Sequence, residues 1–284
     1  MTPSGQRLMT WAREHGHRWY DPATRQCVGP RDTLWYAIAL LYSPDASDRE
    51  LGDALLRAAV SADGTHTPAT MLAVLLCERE RITAATAANL ETQIRGSLPE
   101  ALLCEWHDGN VNHPLAAWAA LILAGERWGD ATAVAGGAGR LRAFARTVGN
   151  RRQARHRQAV FSEYHSPTYT ALDFWFLALI AEFARDQEIR RLARRLEQQL
   201  WIETALWFHA PSQQFSGPRA KWVVMVTPIL ATAQCSYGAA APLWAAGPGR
   251  CIGATPRCTI WSRSTAGGRR AMAASGFRIC SRIS

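Results

Sequence analysis

Two short polar stretches carry most of the chemistry in this 284-residue chain: EWHDGNVNHP at 105–114 and SEYHSPTY at 162–169. Each stands immediately before a strongly apolar segment. Asp108 and Glu163 form the best carboxylate pair, and hydrolysis of a glycosidic bond needs two carboxyl groups roughly 5–9.5 Å apart. Trp106 offers an apolar platform for a sugar ring, while Asn110, Asn112 and His113 supply groups that bind hydroxyls. In the second stretch Ser166 and Pro167 suit the N-cap and first position of a helix. Capping leaves Glu163, Tyr164, His165 and Tyr169 unexplained. Glu163 suits general acid or base work, and His165 or Tyr169 suits proton abstraction in a lyase. His107, Asp108 and His113 match no standard metal-ligand spacing, and Asp108-Gly109-Asn110 has the composition of a tight turn with Asn112 as a helix cap. Neither a metal nor another cofactor is expected.

The surrounding segments explain how such loops meet. Helical periodicity dominates from 33 to about 208, and the segments come in pairs: 33–42 with 48–60, 68–81 with 84–96, 113–128 with 138–149, and 170–184 with 187–208. The first member of each pair is apolar nearly all round, and the second carries arginines and glutamates on one face. That is the difference between an inner helix buried on all sides and an outer helix with one wet face. The expected fold is therefore all-α, with about four helical hairpins in an incomplete α/α toroid over 1–222. Consecutive inner helices would run parallel and bring the loops 20–32, 61–67, 105–112 and 162–169 to one mouth. Asp32 and His66 would line it. Glu203 falls mid-helix and reads as an outer-face or core-edge residue.

A further polar stretch, HAPSQQFSGPRAKW at 209–222, resembles another mouth loop. There His209 follows a helix and Arg219 is placed to clamp an anionic group. The mouth itself would favour anions such as uronic acids, because every inner helix presents its N-terminus to it, although each exposed dipole end contributes only about 0.3–1 kcal/mol.

The run D-G-N-x-N-H-P at 108–114, E-Y-H-S-P-T-Y at 163–169, Leu200-Trp201 with His209, and Q-x-x-G-P-R at 214–219 are similar to proteins of the α/α-toroid type. Six-hairpin glycosidases and several polysaccharide lyases share that architecture. The resemblance covers under half of the chain and implies a carbohydrate-active enzyme, with Gln214 joining the substrate-binding set. Beyond Arg219 the pattern departs from it.

Composition narrows the classes. Hydrophobic residues make up 48% and charged residues 19%, as in ordinary soluble domains. Residues 1–220 hold 24 arginines and 23 acids, a net charge of +1, whereas 221–284 hold Lys221, seven arginines and no acid. The stretch 223–284 therefore reads as an atypical basic tail or as sequence read out of frame. It has no nucleic-acid-binding motif, so no nucleic-acid partner is expected. No apolar run is long enough for a membrane span, and no signal peptide is evident, which makes a cytoplasmic location the expectation. Seven cysteines without a C-x-x-C pair read as reduced thiols. The reaction expected is hydrolysis or elimination on an oligosaccharide, possibly one containing uronate. The alternatives are a toroid dehydratase or isomerase of a small apolar substrate, and a non-catalytic helical scaffold. The oligomeric state is not legible.

Overall fold

A computed structural model describes residues 3–106, 110–153, 161, 166–209 and 214–215. Glu163, His165, Tyr164, Asp108, Arg219, the boundary at 222/223 and the basic stretch all lie outside them. Among the described residues the chain forms nine α-helices: α1 (Pro3–Trp19), α2 (Pro30–Leu41), α3 (Ala46–Arg57), α4 (His66–Cys77), α5 (Ala84–Ala101), α6 (Asn112–Trp128), α7 (Ala131–Gln153), α8 (Pro167–Phe183) and α9 (Gln187–Trp207). A single 3-10 turn, Arg79–Arg81, follows α4. Phe208–His209 and Gln214–Phe215 make a two-stranded antiparallel ribbon after α9. The fold is all-α, as expected.

Burial separates the helices into the two kinds that the apolar patterning predicts. Every residue of α4 from His66 to Leu75 is buried, and so is α6 from Leu115 to Gly125. In α3 only Gly52, Asp53, Leu55 and Leu56 are buried, one face of a two-sided helix. The helices α2, α4, α6 and α8 touch in that order, and α4 also reaches α8. Outside them, α3 packs on α5 and α7 on α9. Each fully buried Leu or Ile in this core contributes about 1.5–3 kcal/mol through removal from water. α1 adds a helix where no helical periodicity was read; it packs against α2, with Met9 and Ala12 buried. Its inward stripe is Gly5, Met9, Ala12 and Gly16, small residues apart from Met9, while Arg7, Glu14 and His17 lie on the exposed side. α5 runs on past Gly96 to Ala101 despite Pro99, because Leu98 and Ala101 are buried in the core.

Paired contacts at both ends align α2 with α4. At their starts, Arg31 Nε donates to Asp63 Oδ2 at 2.8 Å. At their ends, Tyr42 donates to Glu78 Oε1 at 2.5 Å, and the Arg81 guanidinium lies 4.5 Å over the Tyr42 ring. The two helices therefore run parallel. The starts of α4 and α6 meet in the same way, through Thr65 and His113.

Close backbone approach decides the seam between α6 and α7. A Cβ on Gly137 would lie 2.9 Å from the Leu121 Cβ and 3.0 Å from the Trp118 carbonyl oxygen, and these atoms belong to a buried helix that has no room to withdraw. Gly137→Val should therefore destabilise the fold by roughly 2–3 kcal/mol through overpacking. On the exposed face of the same helix, a Cβ at Gly139 meets nothing within 4 Å. Gly139→Ala should stabilise by about 0.5–1 kcal/mol. Denaturant midpoints of the two variants check both signs.

Candidate functional site

The densest polar network in the core lies where α2, α4 and α6 begin, and Asp63 organises it. Its side chain precedes α4 and accepts from the Thr65 and Thr67 amides at 2.8 and 3.1 Å. It also accepts from their hydroxyls, at 3.0 and 2.9 Å, and from Arg31. Asp63 thus caps α4 from outside the formal N-cap, Thr65, whose own side chain caps nothing. Burial alone would raise the Asp63 pKa. The Thr67 amide, the Arg31 charge and the Thr65 amide overcome it and hold this carboxyl well below the usual carboxylate range.

The Thr65 hydroxyl passes this order on to two imidazoles. Its oxygen lies 3.0 Å from Nδ1 of His113 and 3.3 Å from Nδ1 of His66. A hydroxyl has one proton, and the Asp63 carboxylate can only accept it. Both ring nitrogens must then donate to Thr65 Oγ1, so each neutral ring carries its proton on Nδ1 and presents Nε2 as a base. This tautomer follows from the hydrogen-bond network rather than from located protons. The chain Asp63–Thr65–His113 has the form of a base held in place by an orienting group.

His66 and His113 meet edge to face with ring centroids 4.1 Å apart, and Phe176 of α8 lies 5.5 Å from His66. Trp35 of α2 and Trp175 of α8 pack at 4.6 Å beside them. His66 is only 5% exposed. Among the described residues no hydrogen bond of ordinary geometry reaches its Nε2, although the Asn112 side chain lies close enough to pull the ring's pKa up. Burial, then His113 and Arg31, push the His66 pKa down, against an upward pull from Asp63. A histidine with a lowered folded pKa stabilises fully above its unfolded pKa of about 6.5, and that stability is lost as pH falls toward the folded value. Wild type should lose up to about 1.4 kcal/mol per pH unit from this residue below pH 6.5. His66→Gln should flatten that slope, as read from urea midpoints between pH 4 and 7. Glu78 works in the opposite sense. Burial raises its pKa, so its contribution weakens as pH rises above about 4.5.

The sequence-derived candidates divide accordingly. His113 is half-buried at the network, and Asn110 accepts from its backbone amide at 3.4 Å. Asn110 therefore caps α6. Asn112, expected as the cap, is instead the first helical residue and is 1% exposed. The chain must turn inward there because Val111 is fully buried. Asp32 and His66, expected to line an open mouth, are both buried, since each falls on the inward face of its helix's first turn. Trp106 is half-buried, with its ring edge-on to Phe144 at 5.7 Å, where it extends the aromatic packing of α6 and α7. Tyr169 is half-buried in the first turn of α8. Ser166 is the N-cap of α8 with Pro167 following, as expected, although its side chain makes no cap hydrogen bond. His209 and Gln214 are paired by the short ribbon after α9. Glu203 is half-buried and accepts from Gln199 Nε2, a core-edge position.

Three of the four expected loops thus meet at their helix starts. α8 touches α2 and α4 through Trp175 and Phe176, about 12 Å along the helix from Pro167. Those contacts do not place its first turn at the network. The residues missed are Arg31, Asp63 and Thr65. The pattern D-x-T-x-T before an apolar helix was available as a signal: one acceptor followed at alternate positions by two hydroxyl donors.

Among the described residues no three metal-ligating side chains converge, and no helix is long and apolar enough to cross a membrane. No protein family, curated protein or solved structure matches the chain.

Proposed function

We propose that this chain is a carbohydrate-active enzyme built as an incomplete α/α toroid, acting on an oligosaccharide by hydrolysis or elimination, with His113 as a proton-transfer group. The observation that carries this reading is the Asp63–Thr65–His113 chain at the junction of three helix starts. A neutral imidazole protonated on Nδ1 has its basic lone pair on Nε2, and a positioned group of this kind accelerates proton transfer about 10²–10⁴-fold. Four inner helices flanked by outer ones support the toroid. Asp108, Glu163, His165 and Tyr169 remain the proposed partners of His113. Asn110, Tyr164, His209, Gln214 and Arg219 are the proposed substrate contacts.

In the elimination form, the base removes the proton on the carbon beside the sugar carboxylate. The electron pair forms a carbon–carbon double bond, the bond from the neighbouring carbon to the glycosidic oxygen breaks, and that oxygen takes up a proton. In the hydrolytic form, water replaces the leaving sugar and two carboxyl groups carry acid and base roles. Incubation with polyuronates and aryl glycosides tests the proposal. Ultraviolet absorbance of an unsaturated uronate signals elimination, and new reducing ends without it signal hydrolysis. Failure to produce either, from any substrate in both panels, contradicts the proposal.

A further inference from the structure

The guanidinium of Arg31 is held at one edge and open at the other. Its Nε donates to Asp63 at 2.8 Å, and its side chain is 44% exposed. Among the described residues it makes no other hydrogen bond or ion pair, so the Nη1–Nη2 edge remains for a second planar acceptor. That edge is the fork with which arginine binds a carboxylate through two parallel bonds. Asp63 also accepts from two amides and two hydroxyls, so the carboxylate that holds the guanidinium is itself fixed in orientation.

We propose that Arg31 is the specificity-determining residue of the site, taking the carboxylate of a uronate-containing oligosaccharide. This deepens the reading under Proposed function and rests on it. Asp63 then holds both parts of the apparatus, the clamp directly through Arg31 and the base through Thr65. Pairing a uronate carboxylate with a guanidinium withdraws charge from it. The C–H bond beside the carboxylate becomes more acidic, and His113, tied to the same Asp63 through Thr65, is the base that acts on it.

Calorimetric titration of the full chain with trigalacturonate and with its methyl ester tests the clamp. Wild type should bind the acid in preference to the ester. Arg31→Gln should bind the acid about tenfold or more weakly and the ester as wild type does. Arg31→Lys keeps the charge but not the fork, and should fall between them. An Arg31→Gln protein that binds the acid as tightly as wild type overturns the proposal. So does a wild type that fails to bind the acid or to prefer it over the ester. If the acid binds with this dependence on Arg31 but is never cleaved, the clamp stands and the enzymatic reading falls.

Discussion

Replacing Asp63 by alanine should cost roughly 2–4 kcal/mol of folding stability and remove most of any turnover. The stability loss has two sources. The first turn of α4 loses its cap, which is typically worth about 1–2 kcal/mol. The hydroxyls of Thr65 and Thr67 also lose their acceptor in a part-buried setting, which adds about 1–2 kcal/mol. The ion pair with half-exposed Arg31 adds little, since exposed pairs contribute at most about 1 kcal/mol. Turnover falls for a separate reason: the Thr65 proton is no longer directed to a carboxylate, so Thr65 can donate to His113 and reverse its tautomer. Asp63→Asn separates the two effects. It keeps an acceptor for the cap and should recover much of the stability, while its weaker pull on the Thr65 proton leaves activity low. Urea unfolding and initial rates on the same preparations check both.

The second large effect is expected at His113. His113→Ala should lower kcat/KM by about 10²–10⁴, the usual contribution of a positioned acid or base. Its stability cost should stay near 1 kcal/mol, below that of Asp63→Ala, because the ring is half-buried and its hydrogen bond to Thr65 is neutral. The contrast with Asp63 is diagnostic. One residue holds the helix start and the chemistry together, and the other carries the chemistry alone. A His113→Ala protein that unfolds like Asp63→Ala would assign His113 a packing role.

The helical layout was legible because burial on all sides and burial on one side leave different apolar patterns. Residues 113–128 and 187–208 show both, and the helices observed are Asn112–Trp128 and Gln187–Trp207. α1 was not legible because its inward stripe is mostly small residues, Gly5, Ala12 and Gly16 with Met9, which carry little apolar signal until they pack on α2. The site was half legible. His113 and Asn110 stood out by type and position before an apolar helix. Asp63 did not, because an aspartate ahead of two threonines reads as a turn until the fold brings Arg31 from 32 residues away and His113 from 48 residues after Thr65. Titratable side chains near helix starts are visible in sequence, whereas the small hydroxyl that joins them is not. His66 shows the reverse error: its type promised chemistry, and its place on the inward face of α4 buries it.

The central claim is that Asp63, acting through Thr65, holds His113 as an imidazole protonated on Nδ1. Nitrogen-15 NMR of the histidine side chains measures this directly, with His113→Gln used to assign the signal. At a pH where the ring is neutral, His113 should carry its proton on Nδ1, and Thr65→Val should abolish that preference. A His113 ring protonated on Nε2, or one whose tautomer is unchanged in Thr65→Val, would contradict the account.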